Sequence, residues 1–194
     1  MKPLMVWGSA AFSRFRLDAL SEKITVALAA ANPVRIEAQF VYLLDVGRPL
    51  DTPTLARACT LLGAAAREPT AGGFFVTPRK GTISPWSSKA TDIFRNCGLA
   101  EVNRVERGAH LRVVAGEAEL PLESLRPALN ALHDRMTEGV YLELDDLFEH
   151  RPPAPGRVFD VLAQGRAALD AANRNMGLAL SDDEIRYLCD SYTK

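Results

Sequence analysis

Cysteines are few in this sequence, and long apolar runs are absent. The three cysteines of the 194-residue chain are widely spaced, and none belongs to a CxxC pair. This pattern predicts reduced, buried thiols in a cytoplasmic protein and argues against a disulfide framework or a zinc site. No apolar run approaches the roughly 18 residues of a membrane span, and the N-terminus lacks a signal-peptide pattern. We therefore predict a soluble, cytoplasmic chain with no membrane partner.

The sequence also lacks an excess of charge of either sign. It has 23 Lys and Arg against 24 Asp and Glu, a net charge of −1. Without a basic field we expect no nucleic-acid partner. The length suits one domain with a small appendage, and a chain of this size buries roughly 70% of its unfolded surface.

Common catalytic motifs are missing. We find no GxxxxGK[ST] loop, no HExxH and no GxSxG. Three histidines are scattered, and we interpret them as surface or structural residues: His110, His133 and His150. Cys97 is interpreted as a buried thiol at a helix end. Four acidic residues are interpreted as the solvated face of a short helix, in preference to a magnesium site: Glu143, Asp145, Asp146 and Glu149.

The apolar periodicity predicts an α+β sandwich. Residues 34–46 and 102–114 alternate between apolar and polar, as half-exposed strands do, and Gly108 is expected at a bulge or bend. Helical patterns occupy residues 9–31, 52–65, 84–97 and 121–135. Two shorter strands are expected at 72–78 and 139–144, and one more at the start of the chain. The prediction is about five strands and four helices, with helices over one face of a mixed or antiparallel sheet.

A proline-rich stretch predicts a domain boundary. Residues 149–157 (EHRPPAPGR) have the composition of a stiff connector, so we expect one domain at 1–150 and a second segment at 151–194. That segment is predicted to hold a helix over 158–176, followed by a helix that opens with a capping box at Ser181 and Glu184. The chain ends without a helix stop, which suggests a longer parent protein.

The densest run of unusual chemistry lies around the third predicted helix. Ser84 is the expected N-cap, Pro85 the first helical residue and Gly98 the C-terminal stop, with Ala90, Ile93, Phe94 and Cys97 facing inward. Eight residues, which we call the 79–89 surface, are candidates for an anion site or an interface: Arg79, Lys80, Thr82, Ser84, Trp86, Ser87, Ser88 and Lys89. Cations and hydroxyls at a helix N-terminus favour an anion. Alternatively, the hydroxyls satisfy backbone groups in a tight turn and Trp86 packs into a core or a seam between domains.

Four segments resemble one enzyme family, in order along the chain. They are TPRKGTISPWSSKATDIFRNCGL (77–99), RVERG (104–108), LHDRMTEGVY (132–141) and MGLALSDDEIRYLCDSYTK (176–194). Together they resemble the N-terminal domain of phosphoribosylformylglycinamidine synthase, also called formylglycinamide ribonucleotide amidotransferase, of the large single-chain type.

This resemblance implies a role in purine biosynthesis. The family converts formylglycinamide ribonucleotide, ATP and glutamine to formylglycinamidine ribonucleotide, ADP, phosphate and glutamate. Its N-terminal domain is similar to a dimer of a separate small subunit, which fits the two-halved pattern of strands and helices. A helical linker, an ATP-dependent synthetase domain and a glutaminase follow. Residues 1–150 then correspond to the small-subunit-like (pseudo-dimeric) domain, and 151–194 to the beginning of the linker.

The catalytic parts of the family lie beyond this sequence. We therefore expect no catalytic residue, no bound cofactor and no metal here; ATP and Mg²⁺ belong to the parent synthetase domain. The expected partners are the synthetase and glutaminase domains of the same chain, with the 79–89 surface as contact and Trp86 as its aromatic anchor. An isolated chain with an orphaned interface is expected to self-associate. The alternative is a stand-alone anion- or nucleotide-binding module that uses the helix N-terminus near Ser84–Ser88.

Overall fold

An antiparallel sheet organises most of the chain. The computed structural model describes residues 2–67, 71–149 and 155–192. Its strands are β1 (Leu4–Ala10), β2 (Val34–Val46), β3 (Phe74–Pro78), β4 (Val102–Ala115), β5 (Ala118–Glu119) and β6 (Glu138–Tyr141). Their order is β1-β2-β4-β3-β6, with β5 paired to β4 and every pairing antiparallel. The predicted α+β class is confirmed, and β5 is a short strand that the sequence did not predict.

Three helices of this part begin where a side chain caps them. They are α1 (Arg14–Ala27), α2 (Thr52–Leu62) and α3 (Pro85–Asn96), with N-caps at Ser13, Asp51 and Ser84. The prediction that α1 starts near residue 9 was wrong, because β1 continues to Ala10 and the chain needs a further turn before the helix. Phe15, in the first turn of α1, is exposed.

The helices form two groups over the same face of the sheet. In β2 the even-numbered residues share that face, because side chains alternate along a strand. Ile36 and Ala38 pack with α1 and with the segment that ends in Leu132. Leu44 and Val46, farther along the same strand, pack with α2 and α3. Each group thus covers one half of the sheet.

The opposite face is also buried in part, which corrects the expectation of a strand exposed along its whole second side. Val41 and Leu43 point to that face and are fully buried with Trp7. Leu144 and Leu147, from the turn after β6, cover them. Residues 34–39 alternate between buried and more exposed side chains as predicted, but Val41 and Leu43 interrupt this alternation farther along the strand.

The predicted helix over 121–135 is largely a 3₁₀ helix. It runs over Leu122–Ala128 and passes into the single α-turn of α4 (Leu129–Leu132). Pro127 lies inside it and has no N–H for an α-helical hydrogen bond. Leu125, Ala128 and Leu132 are nevertheless buried against the sheet, so the apolar positions were predicted correctly and the helix type was not.

Gly108 is not at a bulge. It pairs in regular register with Val41, and the irregularity between β2 and β4 lies at Asp45 and Val46 instead. A Cβ at Gly108 would lie 2.6 Å from Thr77 Cγ2 and 2.8 Å from the Val76 carbonyl oxygen. Close approach of β3 therefore explains this glycine.

The chain divides into two compact units, Met1–Arg151 and Pro152–Lys194. The predicted connector at 149–157 falls mostly outside the described residues, as does His150. The second unit contains α5 (Val161–Gln164), α6 (Arg166–Met176) and α7 (Asp182–Tyr192). Gly165, at φ 55° and ψ −142°, breaks the single helix that was predicted over 158–176. Among the described residues, no helix is both long and apolar enough to cross a membrane.

The capping box of the second unit is confirmed. The Ser181 backbone N–H donates to Glu184 Oε2 at 2.8 Å, and the Glu184 N–H donates back to Ser181 Oγ at 3.4 Å. The hydrogen bonds that the Ser181 N–H and the Ser181 hydroxyl donate to the Glu184 carboxylate hold its pKa below the ordinary value. Val161, Leu169 and Ile185 form the small apolar cluster of this unit.

Candidate functional site

The start of α3 is built by the cap that the sequence predicted. Ser84 has extended backbone angles, φ −74° and ψ 153°, and its Oγ accepts a hydrogen bond from the Ser87 N–H at 3.0 Å. Pro85 follows as the first helical residue. At the other end Gly98 adopts φ 75°, the left-handed conformation expected of a helix stop. Both ends of α3 are thus fixed by local sequence.

A carboxylate of the chain itself lies at this helix N-terminus. Glu106, only 1% exposed, accepts from Ser84 Oγ at 2.5 Å and from the Ser84 N–H at 3.3 Å. The Arg104 guanidinium pairs with the same carboxylate at 2.8 Å. A helix N-terminus favours negative charge because its N–H groups and dipole point toward the ligand. Here that position is filled internally.

Hydroxyl groups of α3 bond the backbone of β4 on the edge that does not pair with β2, at a position that β3 does not reach. Ser87 Oγ donates to the Val105 carbonyl at 2.6 Å, and the Val105 N–H donates to Thr91 Oγ1 at 3.1 Å. Ser87 is 0% exposed, and Thr91 is also buried. Thr91 lies on the inner face of the helix. Ile93, which was predicted to lie there, is 54% exposed. The hydroxyls of Ser87 and Thr91 therefore satisfy backbone groups, which agrees with the structural alternative for this segment rather than with an anion site.

The cations before the helix also have partners within the domain. The Arg79 guanidinium donates to the Arg135 carbonyl, and the Arg79 carbonyl accepts from Thr82 Oγ1 at 2.7 Å. The Lys80 ammonium pairs with the carboxylate of Asp146. These contacts fasten the loop before α3 to the segments around β6. Asp146, one of the four acids interpreted as solvated, is therefore in an ion pair.

The remaining members of the 79–89 surface reach solvent. Trp86 is half-buried and stacks on Tyr42, with ring centroids 5.8 Å apart and an interplanar angle of 29°. Ser88 and Lys89 are exposed. The structure therefore separates the eight residues into five with side-chain partners inside the domain, one stacked aromatic ring and two exposed side chains.

A cleft of about 560 Å³ lies beside Trp86, between the two helical groups. Its floor includes Phe40 and Arg107, and the Arg107 guanidinium carbon lies 4.8 Å from the Phe40 ring centroid and 5.0 Å from that of Trp86. Ile83 and Met136 border it. Sequence reasoning did not select Phe40 or Arg107 as site residues, although Arg107 lies in the RVERG segment.

One comparison with known proteins identifies the family of this fold. Residues 39–149, more than half of the chain, match the family model described as formylglycinamide ribonucleotide amidotransferase N-terminal. The chain belongs to this family. The match includes all eight members of the 79–89 surface and the cleft beside it. It confirms the resemblance to this family and contains three of the four segments, those at 77–99, 104–108 and 132–141. Membership implies a parent amidotransferase of purine biosynthesis.

Other titratable groups of this amidotransferase N-terminal domain are also bound internally. The His110 Nε2–H donates to the Gly72 carbonyl at 2.9 Å, and burial lowers the pKa of this histidine. Glu119 accepts from the Gly73 N–H at 2.5 Å and from Arg112 at 2.9 Å, which lowers the pKa of the carboxyl. These bonds fix the loop before β3 onto β4 through His110 and onto β5 through Glu119.

The described part of the chain contains no cluster of potential metal ligands. Across residues 2–67, 71–149 and 155–192, no three His, Cys, Asp or Glu side chains are placed to hold a metal ion. Cys59, Cys97 and Cys189 form no disulfide, and they are half-buried rather than buried as predicted. Cys97 is the C-cap of α3, which places it at a helix end.

Proposed function

We propose that this domain is an interface domain of a formylglycinamide ribonucleotide amidotransferase. In this proposal it packs against the synthetase and glutaminase domains of the same chain and helps to enclose the ammonia route between them. One observation supports the proposal most directly. The polar groups of the 79–89 surface are largely engaged inside the domain, while Trp86 remains half-exposed beside a cleft bordered by exposed apolar side chains. Such surfaces are typical of protein contacts.

The two compact units suggest how the parent chain is divided. We assign residues 1–150 to the small-subunit-like domain and 151–194 to the beginning of the helical linker. Three short helices with a small apolar cluster make up the described part of the second unit. Such a unit gains stability from packing against further structure. Because residues 149–157 have the composition of a connector, we expect limited proteolysis of the parent enzyme to separate the two units.

Catalysis is assigned to the other domains. We expect the purified 194-residue chain to make no formylglycinamidine ribonucleotide from formylglycinamide ribonucleotide, ATP, Mg²⁺ and ammonia, and to hydrolyse no glutamine. ATP and Mg²⁺ would be held by the synthetase domain in the cytoplasm. Product formation by this chain alone would refute the assignment.

The coupling role is tested in the complete amidotransferase. Trp86→Ala is expected to reduce glutamine-dependent turnover several-fold more than ammonia-dependent turnover, because a loosened interface lets ammonia escape. Phe15→Ala is a matched control, since Phe15 is an aromatic residue that is 84% exposed on α1 and is not among the residues that line the cleft. Equal loss of both activities, or no loss, would remove the coupling idea.

The second candidate is a stand-alone anion- or nucleotide-binding module at the N-terminus of α3. The position of Glu106 argues against it, because a buried carboxylate within hydrogen-bonding distance of Ser84 repels a second anion. Thermal shift with phosphate or with formylglycinamide ribonucleotide separates the two. Stabilisation that disappears in Ser88→Ala or Lys89→Ala would favour the module; self-association without stabilisation would favour the interface.

A further inference from the structure

The cleft beside Trp86 contains an arginine with an unusual environment. Arg107 pairs across the strands with Tyr42, so its side chain lies on the face that the helices cover. It lies in the gap between the two helical groups, where neither covers the sheet. The rings of Phe40 and Trp86 are both about 5 Å from its guanidinium carbon. Two aromatic contacts restrict the orientation of a planar guanidinium while leaving its N–H groups free.

No acceptor within the described part of the chain bonds this guanidinium. Arg104 and Arg112, two other arginines of β4, both pair with carboxylates. Arg107 remains exposed and has only its ring contacts. Its five donors form a fixed fork that matches a carboxylate or a phosphate. The orientation of the fork is thus set before any ligand arrives.

The surroundings favour a single negative charge. Arg79, the other arginine that lines the cleft, donates to the Arg135 carbonyl, and the N-terminus of α3 is filled by Glu106. Glu138 lines the cleft as well and adds negative charge. A doubly charged phosphate would meet one unengaged cation and a nearby carboxylate. A carboxylate needs only the fork of Arg107.

The borders of the cleft favour an apolar neighbour for that carboxylate. Ile83 is 64% exposed and Met136 is 78% exposed, and both line the cleft. Exposed aliphatic and methionine side chains beside an aromatic residue are typical of surfaces that bind peptide segments. The cleft is also large enough for several side chains at about 560 Å³.

We propose that this cleft binds a peptide segment that presents a carboxylate to Arg107 and an apolar side chain to Ile83 and Met136. In the parent enzyme the segment belongs to another domain of the same chain, a statement that rests on the proposed interface function. Specificity for the segment then comes from two residues. Arg107 binds its carboxylate, and the ring of Trp86 contacts its apolar surface.

The probes are two blocked tripeptides, acetyl-Leu-Glu-Leu-amide and acetyl-Leu-Gln-Leu-amide. They are titrated into the ¹⁵N-labelled 194-residue chain, following the indole N–H of Trp86 and the Nε–H of Arg107 by NMR at constant ionic strength. We expect saturable shifts of both signals with the Glu peptide and at least about tenfold weaker binding of the Gln peptide, because a charge-assisted bidentate pair is lost. Inorganic phosphate is titrated in parallel.

Two substitutions and a matched control complete the test. Arg107→Gln removes the charge and Arg107→Lys keeps it without the fork, so we expect loss of the preference for Glu in the first and a reduced preference in the second. Arg16→Gln is the control. Arg16, on α1, also lies over an aromatic ring, and its guanidinium carbon is 4.1 Å from the ring centroid of Phe12. Unchanged backbone spectra away from the cleft show that each variant is folded.

Several results would overturn the proposal. They are no saturable shift with either peptide, equal affinity for both, a Glu preference that survives Arg107→Gln, or phosphate binding tighter than the Glu peptide. The test does not depend on turnover. If the peptide binds as expected but Trp86→Ala leaves ammonia coupling intact, the binding site stands and the coupling role of the domain fails.

Discussion

Removing the charge of Glu106 should destabilise the first unit strongly. Each carboxylate oxygen has two donors: Oε1 accepts from Ser84 Oγ and the Arg107 N–H, and Oε2 from the Ser84 N–H and Arg104. In Glu106→Gln one oxygen becomes an NH₂ group, which then faces donors whichever way the amide is turned. Arg104, whose side chain is 16% exposed, loses its ionic partner. Breaking a buried pair in this way costs about 3–5 kcal/mol of the free energy of unfolding.

This loss is measured by urea unfolding at pH 7 with circular dichroism and with tryptophan fluorescence. For a unit of about 150 residues it corresponds to a melting temperature lower by on the order of 10 °C. Glu123→Gln is the matched control, because Glu123 pairs with Arg126 at 2.7 Å but both side chains are largely exposed. The control should change stability by less than about 0.5 kcal/mol. If Glu106→Gln costs no more than the control, the buried network does not hold α3 in place.

The remaining predictions concern other buried side chains of the same unit. Burial lowers the pKa of His110, so below about pH 6.5 the unfolded chain takes up a proton that the folded chain does not. The free energy of unfolding should therefore decrease as the pH is lowered through this range, and it should decrease less steeply in His110→Gln. Ser87→Ala should cost about 1–3 kcal/mol by leaving the β4 backbone without its partner, whereas Ser88→Ala should cost almost nothing. Phe94→Ala should cost about 3–5 kcal/mol and Ile93→Ala less than 1, both by denaturant unfolding. A large effect at the exposed serine or isoleucine would contradict the placement of α3.

Local signals predicted the helix ends well, because a cap needs only residues a few positions apart. Ser84 with Pro85, Gly98, and the pair Ser181 and Glu184 all function as expected. The same short range explains the error at Gly108, since the strand that requires this glycine is distant from it in sequence. The 3₁₀ helix is different, because Pro127 inside it is a local signal against a regular α-helix.

The candidate site was predicted only in part for the same reason. The hydroxyls and cations of the 79–89 surface were recognised from their density in one segment. The partners of the Ser84 and Ser87 hydroxyls, Glu106 and the Val105 carbonyl, come from β4. Those of Arg79 and Lys80 come from the segments around β6. Arg107 could be recognised only once β2 and α3 brought Phe40 and Trp86 to it, since nothing in the local sequence distinguishes it from Arg104.

The hydroxyls that complete β4 also decide where the sheet can grow. An unpaired strand edge recruits strands from other molecules, and this is a common route to fibrous aggregates. At Val105 of β4, the helix that carries Ser87 and Thr91 lies where an added strand would otherwise pair. On the edge of β1 that faces away from β2, the backbone of Trp7 pairs with that of Ala65 in an isolated β-bridge. Within the described chain this leaves β6 and the two-residue β5 as strands with a single neighbour. Because β6 is the longer of the two, intermolecular strand addition at high concentration should begin there.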